Sequence, residues 1–226
     1  MLTSKGGGWI DLNLAIIYAA NHGADIITMS LGGRSSLLFD TATQAAINYA
    51  YQKGCILVAA AGNDNNSEPF YPAAYDKVIA VSAIDQSDRK AEFSNFGDYI
   101  DICAPGVNIL STMVNSTYAY GSGTSFAAPF VAGVAALLLS KHPNLTHQEV
   151  TETLYYYAED LGESGWDPYY GWGLVNAYFT ITQTPIPEIP NSLSLTLIMA
   201  LSGAWLYLAK KTTPTSKSSN GLFNIV

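Results

Sequence analysis

Apolar positions along this chain fall into two rhythms, short continuous runs and longer stretches with apolar residues three and four apart. Leu12, Ile16 and Ala19 share one face of a helix from Asp11 to His22, which Gly23 ends. Ala24 to Leu31 (ADIITMSL) predicts a buried strand, closed by Gly32-Gly33. Leu38, Ala42, Ala45 and Tyr49 mark a second helix from Leu37 to Lys53, stopped at Gly54. Cys55 to Ala61 (CILVAAA) is the next strand, broken at Gly62-Asn63, and Asp64 to Pro72 is a polar loop. Lys77 to Ile84 and Tyr99 to Ala104 are a third and a fourth strand, the latter ended by Pro105-Gly106. Val107 to Tyr120 has the pattern of a hairpin turning at Asn115-Ser116.

The stretch from Gly121 to Leu139 organises the rest. Gly121 and Gly123 allow a tight turn, and Thr124 and Ser125 stand where cap and first-turn residues belong. Pro129 comes early enough to be tolerated, and every residue from Phe126 to Leu139 is apolar, Gly or Pro. This pattern predicts a helix buried all round. Lys141, His142 and Pro143 end it, and Thr146-His-Gln-Glu149 is a capping box that opens one more helix. Alternating strands and helices at this spacing predict a three-layer α/β domain over residues 1–182, its mostly parallel sheet covered by helices on both faces. Sites in such sheets form at the carboxyl ends of strands, where Gly32-Gly33, Gly62-Asn63 and Pro105-Gly106 lie.

Composition narrows the partners. The net charge of −8 and the lack of a Lys/Arg cluster speak against nucleic acid. Cys55 and Cys103 fall in apolar runs and read as free, buried thiols. The first eight residues have no apolar core of a signal peptide. Residues 183–192 form a proline-rich linker, and residues 193–209 follow without a charge, ahead of Lys210-Lys211. A buried core helix and a membrane span both fit that segment; the linker before it, Trp205 and Tyr207, and the Lys pair favour a single-pass anchor. The domain is then expected on the extracytoplasmic face, with residues 210–226 as a disordered cytoplasmic tail.

Gly123-Thr-Ser-Phe-Ala-Ala-Pro-Phe-Val-Ala-Gly133 closely resembles the nucleophile motif of the subtilisin-like serine peptidases, the subtilases. It is not the G-x-S-x-G elbow of the α/β-hydrolases, because its fifth residue is Ala127. Ser30-Leu-Gly-Gly33 resembles the family segment that pairs with an extended substrate, and Gly6-Gly-Gly8 stands where the opposite rail would lie. Ala59-Ala-Ala-Gly-Asn63 resembles the oxyanion-hole segment. Tyr71-Pro-Ala73, Val78-Ile-Ala-Val81 and Asp101-Ile-Cys-Ala-Pro-Gly106 extend the resemblance to about residues 9–179.

The resemblance implies a serine endopeptidase acting on a peptide or protein substrate. Ser125 would be the nucleophile, Asn63 the side-chain donor to the oxyanion, and Ser30, Leu31, Gly32, Ala60, Ala61 and Gly62 the substrate-binding walls. It implies no cofactor beyond a weak calcium or monovalent cation site near Ala73, Tyr75 and Val78, and it places Phe70 where it narrows the primary specificity pocket.

Two departures matter. Phe130 stands where many relatives carry His, and the family's Asp-x-Gly and His-Gly-x-His segments are not found. His22, His142 and His147 each read as a surface or cap residue. The chain is therefore expected to be the C-terminal portion of a subtilase fold, truncated at its N-terminal side, with an upstream fragment supplying the triad Asp and His. The rival expectation is a catalytically inert, membrane-anchored peptide-binding module.

Overall fold

Four strands lie side by side in chain order, all parallel: β1 (Ile26–Met29), β2 (Ile56–Ala60), β3 (Ile79–Ile84) and β4 (Ile102–Pro105). Ile26 pairs with Ile56, Val58 with Ile79 and Val81 with Ile102. These assignments come from a computed structural model, which describes residues 8–34 and 37–183. Every residue of β2 and β3 is buried, as continuous Val, Ile and Ala runs require when helices cover both faces.

Helices α1 (Trp9–Asn21) and α2 (Leu37–Gln52) pack on one face, where Ile16, Ile47, Leu57 and Ile100 share a core. Helices α3 (Thr124–Lys141) and α4 (His147–Tyr156) cover the other, with Val58, Val81, Ile102, Val131, Leu138 and Leu154 between the layers. The result is the expected three-layer α/β arrangement, a parallel sheet between helices. Thr146 caps α4 and Glu149 returns the bond, as the capping box predicts. A short α5 (Ala177–Thr182), capped by Asn176, had no signature in the hydrophobic pattern. Strands β5 (Ile109–Met113) and β6 (Thr117–Gly121) form the hairpin, and Asn115 and Ser116 take φ of 60° and 57° at its turn.

Two expectations need correction. Strand β1 is not a buried strand: Met29 alone is buried and Thr28 is exposed, because β1 is an edge of the described sheet. The opposite edge is covered, since Cys103 N–H donates to the Gly173 carbonyl and Val175 N–H to the Cys103 carbonyl, at 2.9 and 3.0 Å. Helix α3 is not buried all round either. It lays Ala127, Ala128, Val131, Ala135 and Leu138 across the sheet and leaves Phe130 43% and Leu137 51% exposed. Among the described residues it is the one helix long and apolar enough to cross a membrane, and its packing on the sheet accounts for that composition. On α1 an apolar stripe is likewise open, with Ile10, Leu14 and Tyr18 each more than 60% exposed.

The expected linker beyond Gln183, the span at 193–209 and the tail at 210–226 lie outside the described residues, as do Gly6 and Gly7.

Candidate active site

The tips of β1 and β2 and the first turn of α3 meet at one place. The cap position of α3 belongs to Gly123, so Thr124 is the first helical residue and Ser125 the second, one place later than the sequence pattern suggested. Freed from capping, the fully buried Thr124 hydroxyl serves the β2 tip. It accepts from Gly62 N–H at 3.1 Å and donates to Asn63 Oδ1 at 3.0 Å. Thr124 N–H donates to the same Oδ1 at 2.8 Å. With its oxygen held by two donors, the Asn63 amide is fixed in orientation and its Nδ2 remains available to an incoming acceptor.

Ser125 is held against the β1 tip by a reciprocal pair of bonds. Ser30 Oγ donates to the Ser125 carbonyl at 2.8 Å, and Ser125 Oγ donates to the Ser30 carbonyl at 3.3 Å. Ser125 is half-buried, and it sits on the second residue of an 18-residue helix, where the helix dipole favours developing negative charge. Among the expected substrate-binding residues, Ser30, Leu31 and Gly32 are open or half-open past the end of β1. Ala60, Ala61 and Gly62 are buried at the end of β2. Ala61 N–H donates to the Val81 carbonyl at 3.0 Å, so this side offers a wall rather than a row of free donors.

Asn95 is the largest omission of the sequence reading. Its side chain is buried; Oδ1 accepts from Asp64 N–H at 2.8 Å and Nδ2 donates to the Ala61 carbonyl at 3.0 Å. Its own N–H donates to the Gly62 carbonyl at 3.0 Å. One amide thus grips the chain on both sides of Asn63. Tyr99 Oη donates to the Ala61 carbonyl at 3.0 Å, and burial pushes that phenol up to about 12. Lys90 Nζ donates to Asn65 Oδ1, the Ala91 carbonyl and the Ser94 carbonyl at 2.9–3.0 Å, tying the same loop down; burial lowers its pKa. Nothing local in the sequence signals the long-range ones among these contacts, which span 25 to 38 residues.

The histidines are engaged elsewhere. His22 follows α1 with Nδ1 2.8 Å from the Tyr18 carbonyl and its ring stacked on Tyr18. His142 ends α3, the far end of the helix from Ser125. His147 packs edge-on against Tyr51, and its pKa is lowered by burial and then by Lys77. The buried carboxylates are structural. Asp101 accepts from Ala80 N–H at 2.9 Å, and Asp167 from the N–H groups of Tyr169 and Tyr170 at 2.7 and 3.0 Å. Among the described residues no cluster of three His, Cys, Asp or Glu is placed to hold a metal ion. Of the expected cation-site carbonyls, that of Tyr75 already accepts from Val78 N–H at 3.0 Å.

A family model described as the subtilase family matches residues 1–173. The chain belongs to the subtilases. Within the family it is 46% identical over 182 residues to a thermophilic serine proteinase of Bacillus sp. (strain AK1), covering 80% of this chain and 44% of that protein. It is 44% identical to thermitase of Thermoactinomyces vulgaris, covering 77% and 60%. Against subtilisin DY of Bacillus licheniformis it is again 44% identical, covering 78% and 64%. The chain thus spans roughly half to just under two thirds of the length of these relatives. Among solved structures, that of a lanthipeptide protease matches with a TM-score of 0.75 at 28% identity, covering 80% of this chain and 67% of that one. The structure of a prenylagaramide maturation protease matches with a TM-score of 0.69 at 34% identity, covering 77% and 66%.

Proposed function

We propose that this chain carries the nucleophile and oxyanion hole of a serine endopeptidase, and that its acid and base come from polypeptide joined at the β1 edge. The observation that carries the reading is the shared anchorage of Ser125 and Asn63 on the first turn of α3. Ser125 Oγ would attack the scissile carbonyl carbon as its proton passes to an imidazole. The carbonyl oxygen would become an oxyanion stabilised by Asn63 Nδ2 and the Ser125 N–H. Collapse would break the C–N bond, the imidazolium would protonate the departing amine, and water would release the acid from the ester. Ser30 to Gly32 and Ala60 to Gly62 would line the substrate on either side.

No described imidazole reaches Ser125, so a serine of ordinary acidity stays protonated and unreactive in this chain by itself. Loss of the base in subtilisin lowers kcat by about 10⁶ and leaves about 10³–10⁴ over water; the figure belongs to a relative and is carried over. The open β1 edge and the uncovered stripes of α1 and α3 are the surfaces that joining polypeptide would bury. The uncharged segment at 193–209 ahead of Lys210 and Lys211 supports a single-pass anchor with the domain outside. Recovery of the full chain in a carbonate-washed soluble fraction would overturn that anchor.

The test is fluorophosphonate labelling of the full chain, alone and mixed with a subtilase fragment bearing Asp-x-Gly and His-Gly-x-His segments. Labelling that needs the fragment and vanishes in Ser125→Ala supports the peptidase. One observation favours an inert peptide-binding module, namely that Ser125 Oγ donates to a backbone carbonyl rather than to a base. Absence of labelling with the fragment bound, together with retained peptide binding, would decide for that module.

A further inference from the structure

Asn63 stands on an exposed tip directly after a glycine. Gly62 takes a φ of 103°, which residues with side chains rarely adopt, so the turn that presents Asn63 requires glycine. Glycine is also the residue with the most backbone freedom, and an amide that must meet an oxyanion cannot stand on a loose hinge. Thr124 holds this turn from one side, through Gly62 N–H and Asn63 Oδ1. The other side is stitched to the segment 93–96. Asn65 N–H donates to the Phe93 carbonyl at 2.9 Å, Phe96 N–H to the Asn66 carbonyl at 3.0 Å, and Asn95 N–H to the Gly62 carbonyl at 3.0 Å. The Asn95 carboxamide completes the hold, with Nδ2 on the Ala61 carbonyl and Oδ1 on Asp64 N–H. One residue thus bonds to positions 61, 62 and 64, around Asn63. A Cβ added to Gly62 would collide with Asn95 Nδ2, so the carboxamide fills the place of the missing side chain and takes away the freedom that glycine brings.

We propose that Asn95 is a positioning residue of the oxyanion site, a buried carboxamide that fixes the backbone on both sides of Asn63 and so sets where Asn63 Nδ2 meets the developing negative charge. It acts through Asn63 and not on the reacting atoms. The requirement is steep, because misplacing a catalytic group by about 1 Å can cost about 10²-fold in rate. Asn95 is 1% exposed, which suits a rigid support behind an exposed tip. Its role is also separable from the fold. Without the carboxamide, Tyr99 Oη still donates to the Ala61 carbonyl at 3.0 Å, the Asn95 N–H still bonds to Gly62, and water can reach the exposed Asp64. Removing it loosens the tip and leaves the domain folded.

This proposal rests on the peptidase reading, and its test separates the two. The full chain is saturated with a subtilase fragment bearing Asp-x-Gly and His-Gly-x-His segments, and the limiting rate of fluorophosphonate labelling is measured. The phosphoryl oxygen of the probe takes the place of the substrate carbonyl oxygen. Asn63→Ala is expected to slow labelling by about 10²–10³, a figure that belongs to a relative, subtilisin, and is carried over. Asn95→Ala should slow it by about tenfold or more, and so should Asn95→Leu, which keeps the space against Gly62 filled. In the Asn63→Ala background the same two substitutions should change the rate by less than about twofold, because no amide is left to position. Circular dichroism confirms that each variant is folded, and Asn95→Leu carries the test if Asn95→Ala is not. A folded Asn95 variant that labels at the wild-type rate overturns the proposal. So does a loss that persists at full size without Asn63, which would make Asn95 a structural residue only. A wild type that the fragment never renders reactive overturns the peptidase reading and the role of Asn95 with it, a result distinct from rapid labelling that ignores Asn95.

Discussion

Replacing Thr124 by Val tests whether the site is held by the bonds assigned to it. Valine matches threonine in shape, so the buried position next to Ala127 and Ala128 stays filled and no cavity opens. What disappears is the acceptor for Gly62 N–H and one of the two donors to Asn63 Oδ1. Gly62 is buried, so its N–H is left without a partner, which costs about 1–3 kcal/mol. Spread over a domain of this size, that lowers Tm by about 2–12 °C. Thr124→Ser keeps both bonds and removes one buried methyl, for about 1 kcal/mol. The two variants separate by location as well as size. In urea titrations followed by the four tryptophans, Val should be the weaker fold. In amide exchange, Gly62 should be deprotected in Thr124→Val and unchanged in Thr124→Ser. A Thr124→Val protein within about 0.5 kcal/mol of the wild type, with Gly62 still protected, would refute the bonding scheme and with it the fixed orientation of Asn63.

Asn95→Ala should cost about 1–3 kcal/mol and speed exchange at the Asp64 amide, because the carboxamide bond to that N–H is lost; an unaltered Asp64 exchange rate would show that Asn95 does not hold the loop. Burial and Lys77 depress His147, so its folded pKa lies below the unfolded value of about 6.5. Its contribution to stability is whole above about pH 6.5 and is lost as pH falls through the depressed value, so His147→Gln should flatten the stability profile in that window by comparison with wild type. Polar replacement of Leu14 and Tyr18 on the open α1 stripe should lower concentration-dependent association of the chain in sedimentation; no change would mean the stripe is not a sticky surface.

What could be read in advance tracks how local each signal is. Strands β2 and β3 announce themselves because burial on both faces demands unbroken apolar runs. The hairpin turn is legible in Asn115, which tolerates a positive φ. Ser125 is singled out by eleven contiguous residues of resemblance, and Asn63 by five. The exposure of β1 could not be read, since ADIITMSL is as apolar as a central strand and only the absence of a described neighbour makes it an edge. The same holds for α3, whose uninterrupted apolar sequence predicts burial that the described residues supply on one side only. The work of Thr124 and Asn95 was hidden for another reason. Their partners lie 61 and 34 residues away, and a threonine at a helix start or an asparagine in a loop carries a local meaning that masks the distant one.

The open edge of β1 has a thermodynamic meaning. Ser30 directly follows that strand, and its carbonyl is the acceptor of the Ser125 hydroxyl. On the proposed function, polypeptide that added itself to this edge would pass Ser125 as it docked, so assembling the sheet and arming the serine would be one binding event. In trans, the fraction armed then follows a simple saturation curve, half at a partner concentration equal to Kd and about nine-tenths at ten times that value. In cis, the tether replaces that concentration with an effective one in the millimolar range for a short flexible connection, and the response becomes all but independent of dilution. Measuring Ser125 reactivity against protein concentration therefore distinguishes a two-piece peptidase from one whose halves share a chain.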